Sequence, residues 1–391
     1  MQEFEVKYYP EMLLKSRSVR RYCCQRLGWN LEKLLKAVHP DCRVQREWAR
    51  LWVTCPEVVK EAVWEVLSTT PGVDQFSRIE RRPWNDLDEL AGHALELYGE
   101  ALEGRSFGVR VKREKGLPFR SGEVERFLGA KLLETGLPSK VDLTRPEVPV
   151  RIRLTAGEAW FHVDHGKGLG GFALGTQGAC LSLVSGGYDS SVASFSTIRR
   201  GLVTHFLFFN LGGAAHERAV RRHAHYLWRR YGASHPVQFV SVPFEEVVGA
   251  ILEKVSDGYM GVFIKRCFLK AATPIARRLK CPALVTGEAV AQVASQTLVN
   301  LQAIDTATDL LVIRPLVTMD KRVVIQQADA IGTRAFADRM PEYCAVISKS
   351  PTIAADPEKL AAEEADFPWE VLERAVEQAT YTPITELGEE S

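Results

Sequence analysis

No uninterrupted apolar run in this sequence approaches the ~18 residues that a membrane-spanning helix needs, and its first residues, Met1-Gln-Glu-Phe-Glu-Val-Lys7, carry charge where a secretory leader would be apolar. Neither a membrane span nor a signal peptide is expected. Eight cysteines are present, at 23, 24, 42, 55, 180, 267, 281 and 344, but they form no CxxC pair and no Cys/His ligand cluster. A structural zinc site is thereby excluded, and the spacing fits a reducing cytoplasm. Internal repeats and low-complexity stretches are lacking as well. What remains is a globular composition: 391 residues suffice for two or three domains, and 46% hydrophobic residues can fill their cores.

The net charge of +1 conceals a strong asymmetry. Of the 50 Lys+Arg and 49 Asp+Glu, residues 352–391 hold 2 and 11, which leaves 48 and 38 for residues 1–351; a tail of −9 is set against a body of +10. A basic body suits a polyanionic partner.

The most informative stretch is Cys180-Leu-Ser-Leu-Val-Ser-Gly-Gly-Tyr-Asp-Ser-Ser191, where a short apolar run breaks at Ser185-Gly186-Gly187 and enters a helical segment. Two adjacent glycines let backbone N–H groups approach an anion, and a helix start adds unpaired donors and the positive end of a dipole. The loop reads either as a phosphate cradle or as an ordinary strand-to-helix turn. It is not a Walker loop, because Asp189 stands where that motif places a lysine. An acid beside phosphates implies a bridging Mg²⁺.

Along the chain, residues 1–60 alternate an extended start (Phe4 to Tyr8), a helical stretch with Leu27, Leu31, Leu34 and Leu35, and a strand at Ala49 to Thr54; a helix is expected from Glu57 to Leu67. A helix over Leu87 to Leu102, a strand over Ser106 to Lys112, a helix capped by Ser121 and running to Leu133, and a hairpin across Val148 to Val163 follow. Beyond the glycine-rich connector Lys167 to Phe172, strands at 181–184, 203–209, 237–242, 283–286 and 310–313 alternate with helices, one of them over Glu217 to Tyr231 with a stop at Gly232. Such alternation predicts a doubly wound parallel sheet with ligands at the carboxyl ends of its strands. The acidic tail is expected to be helical up to Thr380.

The S-G-G-x-D-S of Ser185 to Ser190 resembles the loop of the ATP pyrophosphatases. With Asn210-Leu-Gly-Gly-Ala-Ala-His216, Thr286 to Leu301, Asp320-Lys321 and Met340 to Thr352, it is similar to the bacterial tRNA 4-thiouridine synthetases, over essentially the whole chain. The fold class this implies is multidomain α/β and α+β: an N-terminal ferredoxin-like domain over 1–60, a THUMP RNA-binding domain over 61–165, and a doubly wound PP-loop ATP pyrophosphatase domain over 176–391. The activity implied is ATP-dependent adenylation of the C4 oxygen of a uridine, position eight of tRNA, and its replacement by persulfide sulfur.

By the same resemblance Ser185, Gly186, Gly187 and Ser190 would cradle the phosphates of ATP, and Leu183, Val184, Lys265, Gly287 and Gln296 would contact the nucleotide. Asp189 and Lys321 would serve adenylation, with Mg²⁺ arriving on the ATP and no metal site made by the protein alone. Cys344 would take part in sulfur transfer, with Lys349 favouring its thiolate. Many relatives continue into a rhodanese domain whose cysteine pairs with the one matching Cys344; here the sequence ends at Ser391. Cys344 then takes sulfur directly from a cysteine desulfurase, or a separate rhodanese acts in trans, or the chain is a truncated form, and a role in supplying thiamine sulfur depends on the answer. Recognition of tRNA is expected from Lys112, Arg113, Lys115 and Arg120, with Phe119 to stack on a base and further cations between Lys15 and Arg21. A homodimer is within the same expectation. Two rivals remain: another PP-loop synthetase, which would need an ammonia source that the sequence lacks, and a non-catalytic tRNA-binding protein, which would have lost Asp189, Lys321 or Cys344.

Overall fold

In the computed structural model, which describes residues 1–338, 340 and 348–388, the chain forms two compact units, Met1–Gly170 and Gly171–Ser391. The first begins with Gln2–Tyr8 (β1), whose period-two alternation buries Phe4, Val6 and Tyr8 on one face and puts Glu5 and Lys7 on the other. The short helix Pro10–Leu13 (α1) and the long helix Arg17–Val38 (α2) follow, α2 burying Cys23, Leu27, Leu31 and Leu35 at helical spacing. Arg43–Arg46 (β2), Arg50–Cys55 (β3), Lys60–Thr69 (α3) and Val73–Pro83 (β4) complete the first half. Trp64 of α3 meets Phe4 and Phe76 edge-on, at centroid distances of 6.4 and 4.7 Å.

The second half runs Leu87–Leu102 (α4), Ser106–Arg113 (β5), Ser121–Glu134 (α5), Lys140–Val141 (β6), Val148–Leu154 (β7) and Glu158–Lys167 (β8). Its core is Leu90, Ala94 and Tyr98 of α4 and Val124, Leu128 and Leu132 of α5 against Phe107, Val109, Val150, Ile152 and Phe161. The expected cap of α5 is displaced by one residue. Arg120 is the N-cap, because the Glu123 carboxylate reaches back to accept the Arg120 N–H at 2.8 Å, and Ser121 falls inside the first turn.

All of these strands join one sheet in the order β2-β3-β1-β4-β8-β7-β5-β6. β4 pairs antiparallel with β1 on one side and with β8 on the other, so the ladder runs unbroken from the first half into the second. The expected division at 60/61 lies where the 3-10 turn Glu57–Val59 passes into α3.

The second unit is the doubly wound one: Ala179–Leu183 (β9), Tyr188–Arg199 (α6), Val203–Asn210 (β10), Gly213–Leu227 (α7), Gln238–Pro243 (β11), Glu245–Lys254 (α8), Met260–Arg278 (α9), Ala283–Val285 (β12), Leu298–Asp305 (α10), Leu311–Ile313 (β13), Lys321–Ala330 (α11), Arg334–Ala337 (α12), Pro357–Ala365 (α13), Glu370–Glu377 (α14) and Thr380–Pro383 (β14). The sheet order is β13-β12-β9-β10-β11-β14, parallel from β13 to β11. The chain winds outward from β9 through β10 to β11 and then returns to β12 on the other flank, so the topological switch lies between β9 and β12.

One expectation is corrected here. α7 starts at Gly213, four residues before Glu217, and a π-helical turn Trp228–Gly232 carries it to the glycine. The acidic tail is helical in α13 and α14 ahead of Thr380, with a break over 366–369, and Thr380–Pro383 then adds an antiparallel edge strand to β11. Part of the tail's charge is also neutralised locally, since Glu364 accepts from two of the three guanidinium nitrogens of the buried Arg266, at 3.0 and 2.9 Å.

Candidate active site

The last rung of β9 is the Val184 N–H bonded to the Leu207 carbonyl at 2.8 Å, and beyond it the chain turns at Gly186, whose φ of +83° favours glycine. The Ser190 hydroxyl accepts the Ser185 N–H at 3.2 Å and lies 3.4 Å from the Ser185 hydroxyl; the Gly187 N–H is turned toward Ser185 Oγ at 3.4 Å. α6 starts at once, and its N-cap, Gly187, supplies no side-chain cap. First-turn amides and two hydroxyls therefore line the loop, the donor set an anion takes at a helix start. Leu183, half-buried, and Val184, buried, close the strand end.

Asp189 sits in the first turn of α6. Its carboxylate receives the Lys321 ammonium on both oxygens at 2.8 Å and the Gln292 amide on Oδ2 at 2.8 Å. Lys321 opens α11. Asp189 and Lys321, 132 positions apart, are thus brought together beside the glycine loop.

The loop after β12 is pressed against the same helix start. A Cβ on Gly287 would come within 2.6 to 2.8 Å of the backbone of Asp189 and Ser190, so the glycine makes room for α6 itself. The next residue, Glu288, is buried and paired with Lys265 and Arg314, each at 2.8 Å. Burial pushes its carboxyl up, but the two cations outweigh burial and hold it below the usual carboxylate range. Lys265 and Gln296, expected to contact the nucleotide, are both joined to this loop: Lys265 pairs with Glu288, and the Gln296 side-chain oxygen accepts the Ala289 N–H at 3.1 Å.

Sequence reasoning missed Gln292, Glu288 and Arg314, and also His216 and His223 of α7. His216 Nε2 lies 3.4 Å from the Ser185 carbonyl and His223 Nδ1 lies 3.1 Å from the Gly186 carbonyl. The spacing of seven on a helix was the available signal. Cys344 lies outside the described residues. Of the residues flanking it, Asp338 receives the Tyr188 hydroxyl, and the Met340 side chain occupies the place a Gly186 Cβ would take. On the other side Asp257 accepts the N–H groups of Lys349 and Ser350 at 2.9 and 2.8 Å. Among the described residues no group of three or more His, Cys, Asp or Glu could hold a metal by itself.

The sheet of the first unit carries a separate cleft of about 700 Å³ on the side opposite Phe4 and Val6. Lys7, Arg50, Arg110, Lys112, Arg113, Arg151 and Arg153 line it, against a single acid, Glu5. Glu5 is engaged by Arg50, and His162 lies 3.6 Å from its other oxygen. Lys112 and Arg113 therefore belong to this basic surface, while Lys115 and Arg120 lie in the exposed loop beyond β5. Phe119 departs from expectation: it is half-buried against the core formed by α4, α5 and their strands, together with Leu117.

Comparison with known proteins finds three family models along the chain. The model of the thiamine biosynthesis protein (ThiI) matches residues 175–368, the ThiI ferredoxin-like domain residues 4–77 and the THUMP domain residues 85–164. A tRNA sulfurtransferase of Pectobacterium atrosepticum is 44% identical over 390 residues, covering 100% of this chain and 81% of that protein. One from Salmonella typhi is 45% identical with the same coverage. Among solved structures, a 4-thiouridine synthetase in complex with RNA and bound ATP superposes with a TM-score of 0.84 at 26% identity, covering 98% of this chain and 99% of that one. No helix among the described residues is long and apolar enough to cross a membrane. With an Asp–Lys pair at a glycine loop on the switch point of a doubly wound sheet, and identity of this order along its whole length, the chain belongs to the ThiI family of tRNA sulfurtransferases.

Proposed function

We propose that this chain replaces the C4 oxygen of a tRNA uridine by sulfur at the expense of ATP, giving 4-thiouridine. The C4 oxygen belongs to an amide-like carbonyl and is a poor leaving group. Its attack on the α phosphate breaks the bond to the bridging oxygen, releases pyrophosphate and gives up the N3 proton, leaving an AMP ester at C4. The terminal sulfur of a persulfide then attacks C4, and AMP departs with the original uracil oxygen. A second thiol that breaks the remaining S–S bond leaves sulfur on the ring and yields a disulfide. Cys344 is assigned to this sulfur relay, as persulfide carrier or as second thiol, fed by a cysteine desulfurase with or without a rhodanese in trans.

The observation that carries the adenylation step is the Asp189–Lys321 pair at the mouth of the glycine loop. The amides and hydroxyls of residues 185–190 are suited to the β and γ phosphates, and Lys321 to charge developing on the departing pyrophosphate. A single carboxylate with polyphosphate oxygens is a donor set that Mg²⁺ accepts, and Asp189 would hold the ion. Bound there, Mg²⁺ supplies charge neutralisation on the phosphates. Leu183, Val184 and Gly287 border the place for the nucleoside, with Lys265 and Gln296 shaping its wall.

We assign the ferredoxin-like and THUMP halves, 1–60 and 61–165, to tRNA, and 176–391 to catalysis. The basic cleft with Lys112 and Arg113 supports backbone recognition there, and Lys115 and Arg120 extend the positive surface. A cytoplasmic location and a homodimer complete the reading. Its test is the product of ATP turnover: AMP and pyrophosphate should form only when tRNA is supplied, whereas ADP formation, or AMP formation without tRNA, would contradict it.

A further inference from the structure

α7 holds the glycine loop from behind. His216 and His223, seven residues and about two turns apart, project from the same face of this helix. His216 Nε2 meets the Ser185 carbonyl at 3.4 Å and His223 Nδ1 the Gly186 carbonyl at 3.1 Å, two successive peptide groups of the loop. His223 is almost fully buried, 2% exposed, and its ring is fixed by stacking on Phe336 at 5.2 Å and 18°.

A carbonyl oxygen can only accept, so Nδ1 carries the proton shared with Gly186, and Nε2 of the neutral ring accepts the Ser191 hydroxyl at 2.9 Å. The Ser191 hydroxyl has a single proton, which it shares between His223 Nε2 and the Gly187 carbonyl 2.6 Å away, so the same network reaches the third residue of the loop. Burial pushes the His223 imidazole down to about 4, which keeps it in this neutral form.

In a trans peptide the C=O and the following N–H point in opposite directions. A loop whose Ser185 and Gly186 carbonyls are drawn back toward α7 must turn the N–H groups of Gly186 and Gly187 the other way, away from that helix. The Gly187 N–H does face Ser185 Oγ. We propose that His223, assisted by His216, is a positioning residue that presents these amides to the terminal phosphates of ATP. It touches neither substrate nor Asp189, and the proposal rests on the reading of this loop as the ATP site.

Titration calorimetry on the full chain with ATP, inorganic pyrophosphate and AMP, each with Mg²⁺, tests it. In His223→Leu, affinity for ATP and for pyrophosphate should fall about tenfold or more, as loss of a preorganising hydrogen bond to a dipole array implies, while AMP binds within about twofold of wild type. His223→Asn, whose side-chain amide can donate from the Nδ1 position, should recover most of the loss, and His223→Gln, which donates from the Nε2 position, should not. This Asn/Gln comparison decides the matter if the leucine variant fails to fold. Unchanged pyrophosphate affinity in a folded leucine variant, equal behaviour of Asn and Gln, or AMP affinity falling in step with ATP would overturn the proposal. A wild-type chain that bound neither ATP nor pyrophosphate would instead overturn the assignment of the site.

Discussion

Within the proposed adenylation step, Asp189 carries the central assignment. It is reached by one cation and one amide from two other segments, Lys321 of α11 and Gln292 of the loop after β12. With ATP present, the carboxylate is suited to exchange the Lys321 contact for the metal on the phosphates. Asp189→Asn should therefore keep tRNA affinity within about twofold, because the basic cleft lies in the other compact unit, yet lose tRNA-dependent AMP formation by about 100-fold or more. Comparing filter binding of tRNA with pyrophosphate release separates the two effects; near-wild-type release would remove Asp189 from catalysis. Asp189 stood out in the sequence because it follows the Ser185-Gly186-Gly187 break, and Lys321 because the Asp320-Lys321 segment resembles that of a known family. Gln292 and His223 did not, since their partners lie 103 and 37 residues away and become neighbours only when the sheet closes.

Among the elements, the loop after β12 shows how a buried ion cluster substitutes for regular structure. Glu288 is clamped between Lys265 of α9 and Arg314 just after β13, and Arg314 is itself bonded to Asp305 of α10. Neutralising Glu288 leaves two cations without their shared anion. Glu288→Gln should lower unfolding free energy at neutral pH by about 3 kcal/mol, the cost typical of breaking a buried pair. The sign with pH follows from the depressed carboxyl: its stabilisation is present above the unfolded value of about 4.3 and is lost as pH falls through the lower folded value. Urea midpoints of the two proteins should therefore differ at pH 7 and draw together as pH falls below the unfolded carboxyl value toward the lower folded one; a constant difference across that range would show that lost packing, rather than charge, causes the effect. Elements with strong periodicity, such as α2 and the alternation of β9 to β12 with helices, could be read directly from the chain. β14 could not: Thr380-Tyr-Thr-Pro383 is too short to carry a period, and it is a strand because β11 offers it an unpaired edge. The N-cap at Arg120 was missed for a related reason, since a serine at a helix start is outcompeted when a glutamate in the first turn reaches back first.

For the molecule as a whole, charge and fold divide the work. The sheet of Met1–Gly170 gathers cations from four of its strands around one cleft, and the unit Gly171–Ser391 places a glycine loop, an acid and a lysine at its switch point. The total charge hid this because the acidic tail offsets the basic body, and the tail folds back on α9 through Glu364. Glycine-loop chemistry was readable from a hexapeptide, whereas the basic cleft was only half readable: Lys112 and Arg113 stand out in sequence, but Lys7, Arg50, Arg151 and Arg153 join them only through strand register. The central claim, that the uracil oxygen is activated by AMP and exchanged for sulfur, is tested most directly by mass spectrometry of tRNA labelled with oxygen-18 at uridine C4, after incubation with this protein, ATP, Mg²⁺, a cysteine desulfurase and cysteine. The account predicts one 4-thiouridine per AMP formed, with the heavy oxygen recovered in the AMP phosphate. Thiolation without ATP, or heavy oxygen released as water while AMP stays unlabelled, would contradict it.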